Sequence, residues 1–185
     1  MTPCRYGQLG LGPSNSIDSL PTMPIAPPLF DFDQTDLSRT VVGRDTLNRH
    51  LRQRNRFEML DGILHEDIEG KVIVGYKDIR SDDWWAADHI PSRPMFPGAL
   101  QIEVAAQLAA YDYSAHRLPE EVPEELFVGF GGVENVRFRG LVEPESRLIM
   151  ATKLLKSSRR MFRYTAQGYV DREMVFQGDI IGVMV

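Results

Sequence analysis

The sequence has a single cysteine, no long apolar run and no overall excess of positive charge. With only Cys4 available, no disulfide can form within the 185-residue chain, and this composition is consistent with a reducing compartment. No apolar stretch approaches the roughly 20 residues that a membrane-spanning helix needs. The N-terminal residues also lack the charged and then apolar pattern of a secretory signal. We therefore expect a cytoplasmic protein with no membrane span.

The distribution of charge and of metal-binding side chains excludes further classes. The formal net charge is −5, and residues 57–129 carry five basic but fifteen acidic side chains, which argues against nucleic acid as a partner. His50, His65 and His116 lie far apart in the sequence, and none has the cysteine or histidine spacing of a zinc site. The chain also lacks a glycine-rich phosphate-binding loop. We accordingly predict no metal and no cofactor.

The most informative stretch is a helix whose side chains are apolar on nearly every face. Between Ala99 and Tyr111 the polar side chains are Gln101, Glu103 and Gln107. A helix that is apolar all round is buried, and an acid is almost never fully buried without a partner. Glu103 therefore needs a specific role, and Gln107, one turn later, lies on the same face of the helix.

A proline-stiffened loop that carries His89 leads directly into this helix through Pro97 and Gly98. The first amides of the helix, those of Gly98 and Ala99, have no intrahelical acceptor and lie at the positive end of the helix dipole. They can therefore stabilise an oxyanion. Each feature alone has an ordinary explanation: a hydrogen-bonded loop histidine, an acid satisfied by the dipole, and a Pro-Gly turn. Together they predict acid–base chemistry on a bound carbonyl compound.

The remaining sequence predicts an α+β domain preceded by an arm. Residues 1–30 contain six of the twelve prolines, so we expect an extended or disordered arm over 1–43 and a single domain over 44–185. A short basic helix over 44–56 has too few apolar positions for deep burial. About six antiparallel strands wrap around one long central helix. The predicted elements are a helix over 98–116 and strands over 57–65, 71–79, 126–139, 147–155, 161–170 and 174–185.

The loop and the helix together carry a spaced signature without a gap. It consists of His89, Pro91, Pro94, Pro97, Gly98, Glu103 and Gln107. This spacing resembles the active-site signature of the 3-hydroxyacyl-acyl-carrier-protein dehydratases of fatty acid synthesis, which have the hot-dog fold. Residues 130–139 are similar to the strand that follows the central helix in that family. The resemblance covers roughly residues 57–185, and the sequence departs from the family pattern at Asp88, Ile90 and Ser92.

The resemblance implies a hot-dog enzyme that dehydrates (3R)-3-hydroxyacyl thioesters on an acyl carrier protein to trans-2-enoyl thioesters. It implies that His89 is the base and that Glu103 orients and protonates the departing water. The backbone amides of Gly98 and Ala99 are expected to hold the carbonyl oxygen. The family builds its site between two subunits, so we expect a homodimer, or a trimer of such dimers, that needs no cofactor.

Side chains close to the signature are candidates for supporting it and for lining an acyl pocket. Pro97 and Gln107 are expected to support the two catalytic groups. Trp84 and Trp85, together with Phe96, are expected to wall the acyl pocket. Capping the edge of the core explains the two tryptophans equally well, so both interpretations stay open.

The basic residues near the C-terminus are candidates for docking the acidic carrier protein. Residues 130–185 carry nine basic and six acidic side chains. On the strand that follows the helix, Val136 and Phe138 are expected on the buried face while the alternating arginines face solvent. The candidate docking residues are Arg137, Arg139, Lys156, Arg159 and Arg160.

Two other classes of function stay open from the sequence. Another hot-dog enzyme, either an acyl thioesterase or an enoyl-CoA hydratase, would act on the same class of thioester. A non-catalytic acyl-binding subunit would keep the fold and bind carrier protein without converting anything. Product analysis separates the dehydratase from the thioesterase, because the dehydratase leaves the thioester intact.

Overall fold

The computed structural model describes residues 25–118 and 126–185. Its helices are α1 (Arg44–His50), α2 (Trp84–Asp88) and α3 (Gly98–Asp112), with a 3-10 turn at Asn55–Phe57 and a π-helical turn at Tyr113–Arg117. Its strands are β1 (Gly62–Asp67), β2 (Val72–Ile79), β3 (Val128–Phe138), β4 (Ser146–Ser157), β5 (Met161–Val170) and β6 (Glu173–Met184). The predicted long helix and strands are confirmed, except that β1 begins later than expected because the 3-10 turn precedes it.

The strands form one antiparallel sheet in the order β1-β2-β4-β5-β6-β3. Helix α3 connects β2 to β3 in the sequence and packs on β4, β6, β2 and β5. The core between helix and sheet includes Val104, Leu108, Leu148, Tyr164 and Phe176. This arrangement confirms the predicted α+β hot-dog fold. It also leaves β3 as an edge strand that follows the central helix directly.

Two segments differ from the sequence-based expectations. Helix α1 was expected to pack shallowly, yet its Leu47 and the following Leu51 are 1% and 6% exposed. These two leucines, one turn apart, are enough to anchor the helix near α3. The loop predicted around His89 contains α2, because Trp85 inserts into the core and gives this short helix the tertiary packing that it needs.

The described part of the predicted arm, residues 25–43, packs on the sheet face opposite α3. It contains no helix or strand apart from an isolated bridge between Val42 and Ile63. Its apolar contacts with β2 and β4 join Leu29, Phe30 and Leu37 to Val72, Val74 and Ala151. Residues 1–24 lie outside the described residues, so the boundary between arm and domain stays a prediction.

Within residues 25–118 and 126–185, none of the helices is long and apolar enough to cross a membrane. The same residues contain no group of three or more side chains arranged to hold a metal ion.

Candidate active site

His89 lies at the C-terminal end of α2 and is an exposed residue. Its backbone amide donates to the carbonyl of Trp85 at 2.8 Å. Its Nδ1 lies 3.1 Å from the carbonyl oxygen of Met95. That contact favours the tautomer in which Nδ1 carries the proton, so Nε2 is left with a lone pair that can accept a proton.

The loop that carries His89 is fixed to the core by two aromatic side chains. Trp85 packs edge to face on Phe96 with 5.4 Å between ring centroids, and its Nε1 donates to Asp83 at 3.2 Å. The amide of Phe96 donates to the carbonyl of Val142 at 2.7 Å. Trp85 and Phe96 are each 2% exposed. These contacts hold the loop on both sides of the histidine.

The tryptophans also line a surface pocket of about 630 Å³. Its other lining includes Arg44 of α1, Met59 after the 3-10 turn and Lys77 of β2. Neither tryptophan is among the described residues that line the pocket of Glu103. Trp85 thus has the core-edge position that was the alternative to an acyl-pocket wall, and an acyl-pocket role for Trp84, Trp85 and Phe96 stays a prediction.

Glu103 is half-buried on α3 and is held by a buried glutamine. Nε2 of Gln107 donates to Glu103 Oε1 at 2.7 Å and to the carbonyl of Phe57 at 2.6 Å. Oε1 of Gln107 accepts from the amide of Met59 at 3.0 Å. Burial raises the pKa of the Glu103 carboxyl, although hydrogen bonds from Gln107 and Gln53 oppose the shift. The predicted pairing of Glu103 with Gln107 is present.

A small apolar pocket of about 40 Å³ adjoins Glu103. Among the described residues that line it, Glu103 is the one ionisable side chain. The lining is otherwise Gln53, Ala106, Ala110, Val128, Gly129, Phe130, Phe162, Ile180, Ile181 and Gly182. No pattern in the sequence links these apolar residues, since they come from α3 and three strands and are adjacent only in the folded chain. His89 is not among the described lining residues, so one chain does not bring the two groups into the same pocket.

Helix α3 begins at Gly98, as the sequence predicts. The carbonyl of Pro97 accepts from the amides of Leu100 and Gln101 at 2.9 and 3.1 Å. The amides of Gly98 and Ala99 precede them and have no acceptor within the helix. Together with the positive end of the dipole, they form a suitable site for a carbonyl oxygen that gains negative charge.

Phe138 covers this helix start and was not assigned to the site from the sequence. A Cβ at Gly98 would lie 2.7 Å from Cζ of the Phe138 ring, and the Phe138 ring also contacts Phe176 with 5.8 Å between centroids. Phe138 therefore points towards α3 as expected. It is nevertheless 51% exposed, which corrects the expectation of a buried side chain, because β3 is an edge strand.

The candidate docking residues fall into two groups that lie far apart along the sheet. One group lies at the end of β3, where Arg137 pairs with Gln177 of β6. The other lies over 156–160, where the carbonyl of Arg160 accepts from the amide of Met184 at the end of β6. Gln177 and Met184 are separated by seven positions, which corresponds to about 23 Å along a strand. The five residues therefore do not form one compact surface.

Two solved structures share this architecture. The dehydratase heterocomplex ApeI:P from Xenorhabdus doucetiae is similar with a TM-score of 0.64 at 15% identity, over 75% of this chain and 90% of that chain. A mutant thioesterase from Pseudomonas aeruginosa is similar with a TM-score of 0.57 at 12% identity, over 81% of this chain and 99% of that chain. At these identities the likeness shows the fold alone.

The sequence comparisons are more specific. The FabZ 3-hydroxyacyl-[acyl-carrier-protein] dehydratase of Desulfotalea psychrophila is 35% identical over 131 residues, which are 71% of this chain and 85% of the relative. The FabZ dehydratase of Albidiferax ferrireducens is 32% identical over 145 residues, covering 78% and 95% of the two chains. The FabA-like domain matches residues 51–179, which include the loop, α3 and most of the sheet. The chain therefore belongs to the FabA-like family.

Proposed function

We propose that this protein dehydrates (3R)-3-hydroxyacyl thioesters on an acyl carrier protein to trans-2-enoyl thioesters, in fatty acid or related acyl-chain synthesis. The observation that carries this proposal is Glu103, a carboxyl of raised pKa in a pocket without another ionisable side chain among its described lining. It lies on the helix whose first amides belong to Gly98 and Ala99. Membership of the FabA-like family and the FabZ relatives support the same reaction.

His89 is suited to remove a proton from C2, the carbon beside the thioester carbonyl. The contact from Nδ1 to the Met95 carbonyl leaves Nε2 available as the base. As the C2–H bond breaks, negative charge develops on the carbonyl oxygen. The amides of Gly98 and Ala99 can stabilise that charge by about 3 kcal/mol per donor.

Glu103 is suited to protonate the hydroxyl that leaves C3. Its raised pKa keeps the carboxyl protonated to higher pH than an exposed glutamate. As the C3–O bond breaks, the electron pair from C2 forms the double bond and the hydroxyl takes the carboxyl proton to leave as water. His89 gains one proton and Glu103 loses one, so a proton transfer between them resets the site.

The chemistry requires both groups at one substrate, and we propose that two chains provide them. Strand β3 pairs only with β6 among the described strands, and it exposes Phe130, Val133 and Phe138 by 58%, 37% and 51%. A long apolar edge is prone to pair with another strand. Pairing with β3 of a second copy would bring that copy close to the Glu103 pocket, because Val128–Phe130 line it.

The carrier protein is expected to dock on the arginines at the end of β3 rather than on those of the β4–β5 turn. Phe138 lies between Arg137 and Arg139 in the sequence and against Gly98 in space. This group is therefore adjacent to the start of α3. Rim charges of this kind act mainly on the association rate and its salt dependence. We also propose that the protein is a homodimer located in the cytoplasm.

The test is a product assay on purified protein with 3-hydroxyacyl pantetheine thioesters of several chain lengths. Absorbance of the conjugated enoyl thioester reports dehydration, and a thiol reagent reports hydrolysis. We expect enoyl formation without thiol release. Thiol release without an enoyl product would identify a thioesterase. Binding of acyl carrier protein with no conversion of any substrate would identify a non-catalytic subunit.

A further inference from the structure

Glu103 has a second amide neighbour that lies outside the signature of the loop and the central helix. Gln53 follows α1 and lines the small pocket beside Glu103. Its side chain hydrogen-bonds to the Glu103 carboxyl, in addition to the bond of 2.7 Å from Gln107. Gln107 lies on α3 with Glu103, whereas Gln53 belongs to a different segment of the chain. Two neutral amides from separate segments therefore hold the carboxyl.

The backbone after α1 is fixed on both sides of Gln53. Leu51 is 6% exposed, and its amide donates to the carbonyl of Leu47 at 2.8 Å. The guanidinium of Arg54 donates to the carbonyls of Asn48 and Leu51 at 2.8 and 2.7 Å. It also donates to the carbonyl of Gln53 itself at 2.6 Å. A leucine in the core and an arginine that closes the turn thus set the position from which Gln53 contacts Glu103.

Gln53 also lines a neighbouring cavity of about 10 Å³, which contains charged side chains. Arg44 is the one cation among the described residues that line this cavity. It is already paired with Glu58 at 3.4 Å and with Asp61 at 2.6 Å. The groups that favour the charged form of Glu103 are therefore amides and not a cation.

An acid that transfers a proton needs both its neutral and its charged form to be accessible. Burial disfavours the charged form of Glu103, and the hydrogen bonds from the two amides oppose that effect. Once the carboxyl has given its proton to the leaving hydroxyl, its negative charge remains in a pocket lined mainly by apolar side chains. An amide donor stabilises that charge, because a hydrogen bond to an ionised group is stronger than one between neutral groups.

We propose that Gln53 is a positioning residue of the dehydration, which orients the Glu103 carboxyl and stabilises the carboxylate that forms when the proton is transferred. This inference rests on the proposed dehydratase function. Gln53 acts through Glu103 rather than on the thioester, so its loss should lower kcat and leave KM nearly unchanged. Gln107 contacts the same carboxyl, but it also bonds to the backbone of Phe57 and Met59. Gln53 is therefore the amide that can be replaced without breaking those backbone contacts.

The experiment compares the full-length wild type with Gln53→Met and Asn48→Leu. Methionine is close to glutamine in shape but has no hydrogen-bond donor. Asn48 lines the neighbouring cavity with Gln53 but is not among the described residues that line the Glu103 pocket, so it is the matched control. With a 3-hydroxyacyl pantetheine thioester, we expect Gln53→Met to lower kcat about tenfold with little change in KM. Asn48→Leu should keep both wild-type values.

A titration of Glu103 provides a readout that does not depend on turnover. The pKa of its carboxyl is measured by ¹³C NMR on labelled glutamate, and the spectrum of Glu103→Gln identifies its signal. Because the bond from Gln53 lowers the pKa of Glu103, Gln53→Met should raise that pKa. Asn48→Leu should leave it unchanged.

The outcomes separate this inference from the proposed function. An unchanged pKa of Glu103 or an unchanged kcat in Gln53→Met would overturn the positioning role and leave the dehydratase intact. A raised KM with an unchanged kcat would overturn it in favour of a substrate contact. A wild type that converts no thioester would reject the function, and the positioning role with it, whatever the titration shows. Thermal melting checks that each variant is folded, and Gln53→Ala, with the same expectations, replaces a Gln53→Met protein that does not fold.

Discussion

Two carboxyl groups on α3, one near its start and one at its end, have opposite surroundings. Asp112 is fully buried. It accepts from the guanidinium of Arg117 at 3.1 and 3.2 Å and from the hydroxyl of Tyr164. Glu103 is half-buried, and the described contacts to its carboxyl come from neutral amide side chains, including that of Gln107 at 2.7 Å.

The difference separates an acid whose buried charge is compensated from one whose charge is not, and the second acid is our candidate for proton transfer. At Asp112 a cation compensates the buried charge, and burial followed by the nearby carboxylate raises the pKa of Tyr164, which therefore remains a donor. At Glu103 nothing of opposite charge is present in the described pocket lining. Burial there disfavours the charged form and raises the pKa. Burial without a nearby counter-charge makes Glu103 a candidate for proton transfer, which burial alone does not do for Asp112.

The largest expected effect is a loss of activity when Glu103 or its proposed partner His89 is replaced. Glu103→Gln and His89→Ala should each lower kcat/KM by about 10²–10⁴-fold, because each removes one proton transfer. The double variant should be little worse than either single one, since both act in one cycle. Both variants should stay folded, because an amide has nearly the same shape as the Glu103 carboxyl and because His89 is an exposed residue. Steady-state kinetics and thermal melting provide the measurements.

Mixing the two inactive variants gives the control for a shared site. If His89 and Glu103 of one pocket come from different chains, a mixed dimer contains one intact pocket and one pocket with both changes. Co-refolded chains should therefore regain part of the wild-type activity. Well-mixed dimers that regain none would reject the two-chain geometry, while wild-type activity in either single variant would reject the mechanism.

The second largest expected effect is a loss of folding stability when Asp112 is replaced. Asp112→Asn leaves the guanidinium of Arg117, 13% exposed, without its counter-charge, which should cost about 3–5 kcal/mol of unfolding free energy. Tyr164→Phe removes only a hydrogen bond to the same carboxylate and should lower the free energy of unfolding by less than Asp112→Asn does. Activity per folded molecule should remain close to wild type in both. Urea unfolding and active-site titration measure these quantities, and an inactive but stable Asp112→Asn would contradict the assignment.

A smaller effect should follow from adding a methyl group at Gly98, the first residue of α3, where the Phe138 ring leaves no room for it. A Cβ at Gly98 would lie 2.7 Å from the Phe138 ring, so Gly98→Ala should lower the free energy of unfolding by about 1–3 kcal/mol through overpacking. The same substitution should lower kcat/KM, because it displaces the ring or the helix start. Gly43→Ala is the matched control, because a Cβ there meets nothing within 4 Å. Equal activity of the two alanine variants would argue against a role for Phe138 at the site.

The sequence predicted those parts of the site that depend on local spacing. Glu103 and Gln107 are one helical turn apart, so their contact follows from the helix period. Gly98 and Ala99 are the first helical residues after Pro97, so the lack of intrahelical acceptors for their amides follows from the helix start. The six strands were also predictable, because turns and alternating apolar residues mark them.

The remaining features depend on contacts between distant residues. The partners of Gln107 at Phe57 and Met59 are 50 and 48 residues away, and the sequence contains no pattern that links them. The contact of Phe138 with the helix start arises from the position of β3 at the edge of the sheet. The arm could be recognised by its prolines, yet its packing on the outer face required the folded positions of β2 and β4.

The smallest expected effect tests the raised pKa of Glu103 through the pH dependence of stability. Because the folded-state pKa is above its ordinary value of 4.5, the folded protein retains this proton at pH values where the unfolded chain has lost it. The stabilisation from this group is complete below about pH 4.5, and it is lost as the pH rises through the folded-state pKa. Glu103→Gln has no such titration. Its melting temperature relative to wild type should therefore increase from acid towards neutral pH and then become constant.

The same measurement on Asp112→Asn sharpens the contrast between the two acids. That variant should be less stable than wild type at neutral pH, because it has lost the ion pair with Arg117. Glu103→Gln should be equal to wild type at low pH and more stable at neutral pH, because burial disfavours the charged form of the Glu103 carboxyl. A Glu103→Gln protein that is less stable than wild type at neutral pH would show that the carboxylate is compensated after all. The distinction between the two acids of α3 would then be lost.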